Sequence, residues 1–144
     1  MSLKDGTKKM SKSDPSDLSR INLTDNKDEI FNKIKKAKTD EAQLPVDEKG
    51  LEKRPEVQNL LGIYSSLNKQ SLESSIKEFS GKNFSDFKEK LAELVVEKIS
   101  PISLEINKFK KENSYIDTVL KEGGEKANKI ATKKVEEIKK TIGF

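Results

Sequence analysis

Two ammonium groups and two hydroxyls fall within five residues at Lys9-Met10-Ser11-Lys12-Ser13. Gly6 lies upstream and Asp14-Pro15 follow directly, residues that disfavour regular structure, so the segment reads as a loop. Lysine offers a compact mobile charge with three donors, and serine adds a hydroxyl donor. A loop of this kind is suited to wrapping a polyphosphate. A charge run near a chain end is also, ordinarily, a solvated surface. Lys8 fits that plainer reading. Asp14 reads as a residue that caps or orients the loop, because a lone carboxylate is weak ground for a metal site.

The elements that must position such a loop are thin. The chain has 144 residues, 32% hydrophobic and 38% charged, with a net charge of +4. A core then has to come from apolar stripes on amphipathic helices, not from buried strands. The pI near 9.1 is a mild bias towards polyanions. Cysteine and histidine are both absent, which excludes disulfides, thiolate zinc sites, a thiol nucleophile and a histidine base. No Gly-rich phosphate motif of the dinucleotide or Walker type occurs, and no metal site is expected. No apolar run approaches the roughly 20 residues that span a bilayer, and no apolar signal core follows Met1. A cytoplasmic protein with no membrane partner is the expectation.

Residues 1–20 show no apolar period and read as loop, and Ile21-Asn22-Leu23 as a short strand or extended link. Thr24, Asp25 or Asn26 caps a helix running to about Lys38, with Ile30, Phe31, Ile34 and Ala37 inward. Lys33, Lys35, Lys36 and Lys38 occupy its other face and end, where cations complement the helix dipole or face phosphate. A polar, mobile connection follows over 39–54. Pro55 starts a helix with Val57, Leu60, Leu61, Tyr64 and Leu67, and Ser71 caps another that Gly81 ends. The longest helix starts near Ser85, with Phe84, Phe87, Leu91, Leu94, Val95 and Ile99 on one stripe. Pro101 is expected to kink it without stopping it, and Ile102, Ile106 and Phe109 extend the stripe. Asn113 or Ser114 caps a short helix, Gly123-Gly124 interrupts, and a last helix buries Ala127, Ile130, Ala131, Val135, Ile138 and Ile142. Phe84, Phe87, Phe109 and Tyr115 are expected in the core, not as base-stacking platforms.

The pentapeptide spells KMSKS, the second signature of class I aminoacyl-tRNA synthetases. The run KMSKSDPSDLSRINLTDNKDEIFNKIKKAKTD resembles the segment after that loop in bacterial-type tryptophanyl-tRNA synthetases. Asn59-Leu60-Leu61-Gly62-Ile63-Tyr64 resembles the family's N-L-L-x-I-Y helix, and Gly123 to Ala131 is similar to its closing E-G-A-E-K-A-x-x-I-A helix. The resemblance covers the whole chain, with KMSKSDPS its most specific part.

That resemblance implies an all-α helical bundle that binds tRNA and its anticodon, over 23–144. Residues 1–22, with the KMSKS loop, would be the end of a Rossmann-type catalytic domain. Lys12 would make the main contact to the pyrophosphate end of ATP, with Lys9 supporting. Ser11 and Ser13 would donate hydroxyls, and Met10 would pack inward as a hinge. Lys33, Lys35, Lys36, Lys126, Lys129, Lys133 and Lys134 are candidates for tRNA phosphate contacts. The full enzyme would be an ATP-dependent tryptophan–tRNA ligase using Mg²⁺, a homodimer whose partner is tryptophan tRNA. The HIGH signature would lie upstream, since a chain without histidine cannot hold it, and Met1 would be an internal methionine. Alone, this chain is expected to be monomeric, inactive and without bound ligand, its loop mobile for want of apolar anchors other than Leu3 and Met10. The alternatives are a tyrosyl-tRNA synthetase relative, a stand-alone RNA-binding helical module, and a helical interaction domain with no nucleic-acid partner.

Overall fold

Asn26 starts the first helix with a reciprocal capping box. Its side chain accepts from the Glu29 amide at 3.0 Å, and the Glu29 carboxylate accepts from the Asn26 amide at 2.7 Å. Such a cap is worth about 1 kcal/mol. In the computed structural model, which describes residues 1–143, this helix is α1, Lys27–Lys35. It is followed by α2 (Pro55–Asn68), α3 (Leu72–Phe79), α4 (Phe84–Lys111) and α5 (Asn113–Ile142). Two 3-10 turns, Asp17–Ser19 and Glu48–Leu51, complete the regular structure. Among the described residues there is no strand, so Ile21-Asn22-Leu23 is an irregular link and the all-helical expectation holds.

Packing divides the chain into two units, Met1–Leu104 and Glu105–Phe144, with the boundary inside α4. In the first unit, α1 buries Ile30 and Ile34, and Ala37 follows them. Phe31, expected inward, is 39% exposed. The helix ends earlier than Lys38 because the Lys38 amide donates to the Leu3 carbonyl at 2.8 Å, away from the helical ladder. Lys88, reaching from α4, caps that end by donating to the carbonyls of Lys35 (3.2 Å) and Ala37 (2.7 Å). The helix terminus thus receives its cation from a distant element, and burial lowers the Lys88 pKa.

The 39–54 connection, polar as it is, is fastened at several points. Leu44 and Leu51 are buried, and Leu44 exchanges backbone bonds with Lys82 and Gly81. Arg54 forks onto both Asp40 carboxylate oxygens at 2.7 Å and donates to the Gln43 carbonyl at 3.0 Å. Pro55 then opens α2 at its first turn, where a missing amide costs nothing. α2 buries Val57, Leu60, Leu61 and Tyr64. Tyr64, Phe79 and Phe87 meet edge to face, with centroids 4.8 Å apart for Tyr64–Phe79 and for Phe79–Phe87. Ser71 caps α3 by accepting from the Ser74 amide, and Gly81, at φ +68°, turns the chain towards α4. The core of the first unit closes on Leu91, Ala92 and Val95, and Leu3 from the N-terminal segment belongs to it.

α4 does not stop at Pro101 but continues to Lys111. In the second unit the expectations of burial fail, and Phe109 is 39% exposed. Gly123 and Gly124 do not interrupt: a single helix covers Asn113–Ile142, because glycine disfavours helix by about 1 kcal/mol each without forbidding it. No described residue of α5 is buried. Ala127, Ile130, Ala131, Val135, Ile138 and Ile142, expected inward, are all exposed. Phe109 and Tyr115 are not core residues but stack on each other in the open, with centroids 5.6 Å apart and planes at 20°. Gly143, at φ +84°, ends the helix.

Candidate functional site

The pentapeptide Lys9–Ser13 lies on an exposed loop whose two stems meet beside the core. Ser2 donates to the Lys8 carbonyl and Leu3 to the Ser19 carbonyl, both at 2.9 Å. Leu3 is buried, so the N-terminal stem is pinned by apolar contact as well as by backbone bonds. Gly6 is buried, against the backbone of Pro55 and Glu56. Asp5 closes the turn before the loop, accepting from the Thr7 amide (3.0 Å) and hydroxyl (2.6 Å). Those bonds, with Lys8 at 3.3 Å, bring the Asp5 carboxyl down to about 2. Lys8 is therefore committed to Asp5.

Within the loop, the Ser11 and Ser13 hydroxyls lie 2.9 Å apart, and the Ser13 amide donates to Ser11 Oγ at 3.3 Å. Lys9 and Lys12 are exposed, and neither forms an ion pair among the described residues. Asp14 turns its carboxylate onto the Ser16 amide at 2.8 Å, in the capping role expected of it. Met10, expected to pack inward, is 49% exposed. It stands at the edge of an apolar hollow with Leu3, Ile21, Ile63, Leu67 and Val95, too far out on the loop to be covered.

The downstream stem rests on charge. Arg20 donates to the Asp14 carbonyl (3.1 Å) and pairs with Asp17 (3.1 Å). Lys33, reaching from α1, is 3% exposed and places its ammonium 2.6 Å from Asp17 and 2.5 Å from Asp25. Asn22 donates to both carboxylates at 3.1 Å. Burial pulls the Lys33 pKa down, but the bonds to Asp17 and Asp25 outweigh it and the net shift is upward. Lys33, followed by Asn22, lowers the Asp17 pKa.

Lys33 is thus no phosphate contact, since its side chain is 4% exposed and its ammonium is bonded to Asp17 and Asp25. Lys35 and Lys36 remain exposed. Lys38 is paired with Glu56 at 2.8 Å. On α5, Lys126, Lys129 and Lys133 are exposed and spaced by three and four residues, which sets them along one helix face, whereas Lys134 pairs with Glu137 at 2.9 Å. Sequence reasoning missed Asp17, Arg20 and Lys88. Asp25 entered it only as a possible helix cap. Among the described residues no group of three or more acidic side chains is arranged to hold a metal ion, and no helix is long and apolar enough to cross a membrane.

A family model described as tRNA synthetases class I (W and Y) matches residues 1–100. The tryptophan–tRNA ligase of Mesorhizobium japonicum is 52% identical over all 144 residues, which make up 41% of that protein. That of Rickettsia felis is 47% identical, and the chain covers 43% of it. The chain thus spans about two fifths of the length of these curated relatives. Among solved structures, the crystal structure of tryptophanyl-tRNA synthetase from Mycoplasma pneumoniae superposes over the whole chain and 45% of its own, with a TM-score of 0.69 and 27% identity.

Proposed function

The chain belongs to the class I tRNA synthetases of the tryptophan and tyrosine type, and from that premise we propose that it is the C-terminal part of a tryptophan–tRNA ligase. The observation that carries the reading is the KMSKS segment itself, presented on an exposed loop between two fastened stems with both lysine ammonium groups uncommitted to ion pairs among the described residues.

The chemistry follows from where charge moves. The tryptophan carboxylate attacks the α-phosphorus of ATP, a C–O–P bond forms, and the bond from that phosphorus to the bridging oxygen breaks. The electron pair leaves with pyrophosphate. Ammonium groups at the β- and γ-phosphates therefore hold the transition state more strongly than bound ATP. Lys12 makes the main contact and Lys9 the second, with the Ser11 and Ser13 hydroxyls donating to phosphate oxygens. Mg²⁺ would enter with ATP, since among the described residues no group of three or more acidic side chains is arranged to hold it.

The helical part binds tryptophan tRNA through cations that supply salt-dependent affinity without base information. Lys35, Lys36, Lys126, Lys129 and Lys133 remain available for it. Activity belongs to the longer protein, a homodimer in the cytoplasm. The chain by itself, with no histidine for the first ATP signature, does not charge tRNA.

The deciding experiment is tryptophan-dependent ATP–pyrophosphate exchange by the full-length protein. Lys12→Ala lowers the exchange rate by about two orders of magnitude, matching the roughly 2–4 kcal/mol that one transition-state contact supplies. An unchanged rate rejects the assignment. For the helical part, the isolated chain is titrated with tryptophan tRNA and with a copy carrying a scrambled anticodon. Equal binding that fades as salt rises reduces this part of the proposal to a basic surface meeting phosphates.

A further inference from the structure

We propose that Lys33 and Asp17 are positioning residues for the KMSKS loop, a buried ammonium on α1 holding the loop's downstream stem in the place from which Lys12 reaches phosphate. The catalytic half of this inference rests on the proposed function; the structural half does not.

The loop has little else to hold it. Residues 7–13 are exposed, and Met10, the one apolar residue among them, is half out in solvent. Its position is therefore set at the stems. Upstream, Ser2 bonds back to the Lys8 carbonyl, and the Leu3 amide joins the two stems by donating to the carbonyl of buried Ser19. Downstream, Asp14 adjoins the last residue of the signature, and its carbonyl accepts from Arg20, which is paired with Asp17. Among the described residues, the bond from Asp17 to Lys33 is the polar contact between the stretch 14–18 and α1, and Ser19 beyond it is bonded to Leu3.

The burial pattern separates the two carboxylates. The Asp25 side chain is 7% exposed and completes the buried pair, so Lys33 keeps a counter-charge whatever happens at Asp17. The Asp17 side chain is 59% exposed. Its bond to Lys33 is not needed to satisfy a buried acid, because water would solvate Asp17 as well. What that bond adds is location: one rigid helix fixes one stem. Lysine suits the task, since its apolar stem can be buried and its ammonium reaches two acids.

Two measurements test this, using Asp17→Asn, Lys33→Met and the double variant. The first uses the 144-residue chain and limited trypsin digestion under native conditions. Cleavage after Lys9 and Lys12 accelerates severalfold in Asp17→Asn, while cleavage after Lys126 and Lys129 on α5 serves as the internal control and keeps its rate. The second uses exchange kinetics of the full-length protein. Asp17→Asn lowers kcat/KM for ATP by about tenfold and leaves KM for tryptophan unchanged. The double variant is no worse than Lys33→Met, as expected of residues that act as one unit. Should Lys33→Met fail to fold, Asp17→Asn decides alone, because its buried pair is intact. Unchanged loop cleavage in folded Asp17→Asn overturns the proposal, as does a rise in KM for tryptophan with kcat unchanged. Faster loop cleavage in a protein whose wild type shows no exchange leaves the positioning role standing and removes the proposed function instead.

Discussion

Gly6 lies so close to Pro55 that a Cβ on it would stand 2.4 Å from the Pro55 carbonyl carbon and 2.5 Å from the Glu56 amide nitrogen. Backbone on that side cannot turn away as a flexible side chain would. The contact seats the loop's upstream stem on the first turn of α2. Gly6→Ala is therefore expected to destabilise the chain by about 1–3 kcal/mol, as overpacking does. Urea denaturation checks it, and an unchanged midpoint would refute the seating.

Three lysines at the C-terminal end of α1, Lys36 being its C-cap, separate by burial. Lys33→Met leaves Asp25 buried without its cation, a loss of about 3–5 kcal/mol of folding stability. Lys35→Met and Lys36→Met alter exposed side chains and stay within about 0.5 kcal/mol. Denaturant midpoints of the three variants distinguish them. Only the latter two are expected to weaken tRNA binding without unfolding the chain.

Asp5 ties acid stability to the base of the loop. Its carboxyl sits at about 2 in the folded chain, mainly through the Thr7 hydroxyl and amide, against an ordinary value of 3.8. A depressed carboxylate pKa contributes stability that is present above the ordinary value and lost as pH falls through the folded one. The contribution therefore disappears between about pH 4 and pH 2. A carbon-detected NMR titration should place Asp5 near 2 in the wild type and higher in Thr7→Val. A wild-type value near 4 would contradict the turn.

Glycines inside α5 leave room for improvement. A Cβ at Gly123 or Gly124 meets nothing within 4 Å, and both are helical with ordinary φ. Replacement by alanine should raise helix stability by about 0.4–1 kcal/mol per site. Far-ultraviolet circular dichroism on warming reads this as a higher midpoint or a shallower loss of helix in α5.

How much of this was legible in the sequence depends on the range of the interaction. Pro55, Ser71 and Gly81 act within a turn, and each stands where its local pattern put it, while the structure selects Asn26 from the three caps that Thr24, Asp25 and Asn26 offered. Lys33 was misplaced among look-alikes because its partners, Asp17 and Asp25, lie in a stretch without any period. A signal was nevertheless available. At 3.6 residues per turn, Lys33 lies about 60° from Ile30 around α1 and Phe31 about 100° from it. Residue type sent Phe31 inward and Lys33 outward, and position should have decided. The same reliance on type split α5 in two at its glycines and buried an apolar stripe that the described structure leaves exposed. A stripe states what a helix can cover, not what is there to be covered.

The 30-residue α5 that buries nothing has a consequence for the time axis of the molecule. With no described residue buried, its amides are sheltered chiefly by the helix–coil equilibrium of the segment itself, which for a sparsely packed helix relaxes within microseconds. Deuterium should enter α5 at the pace of an isolated helical peptide. The amides of Ile30, Leu60 and Phe87 should wait for the first unit to unfold as a whole. One chain would then keep two clocks, and the faster one runs in the segment that carries Lys126, Lys129 and Lys133.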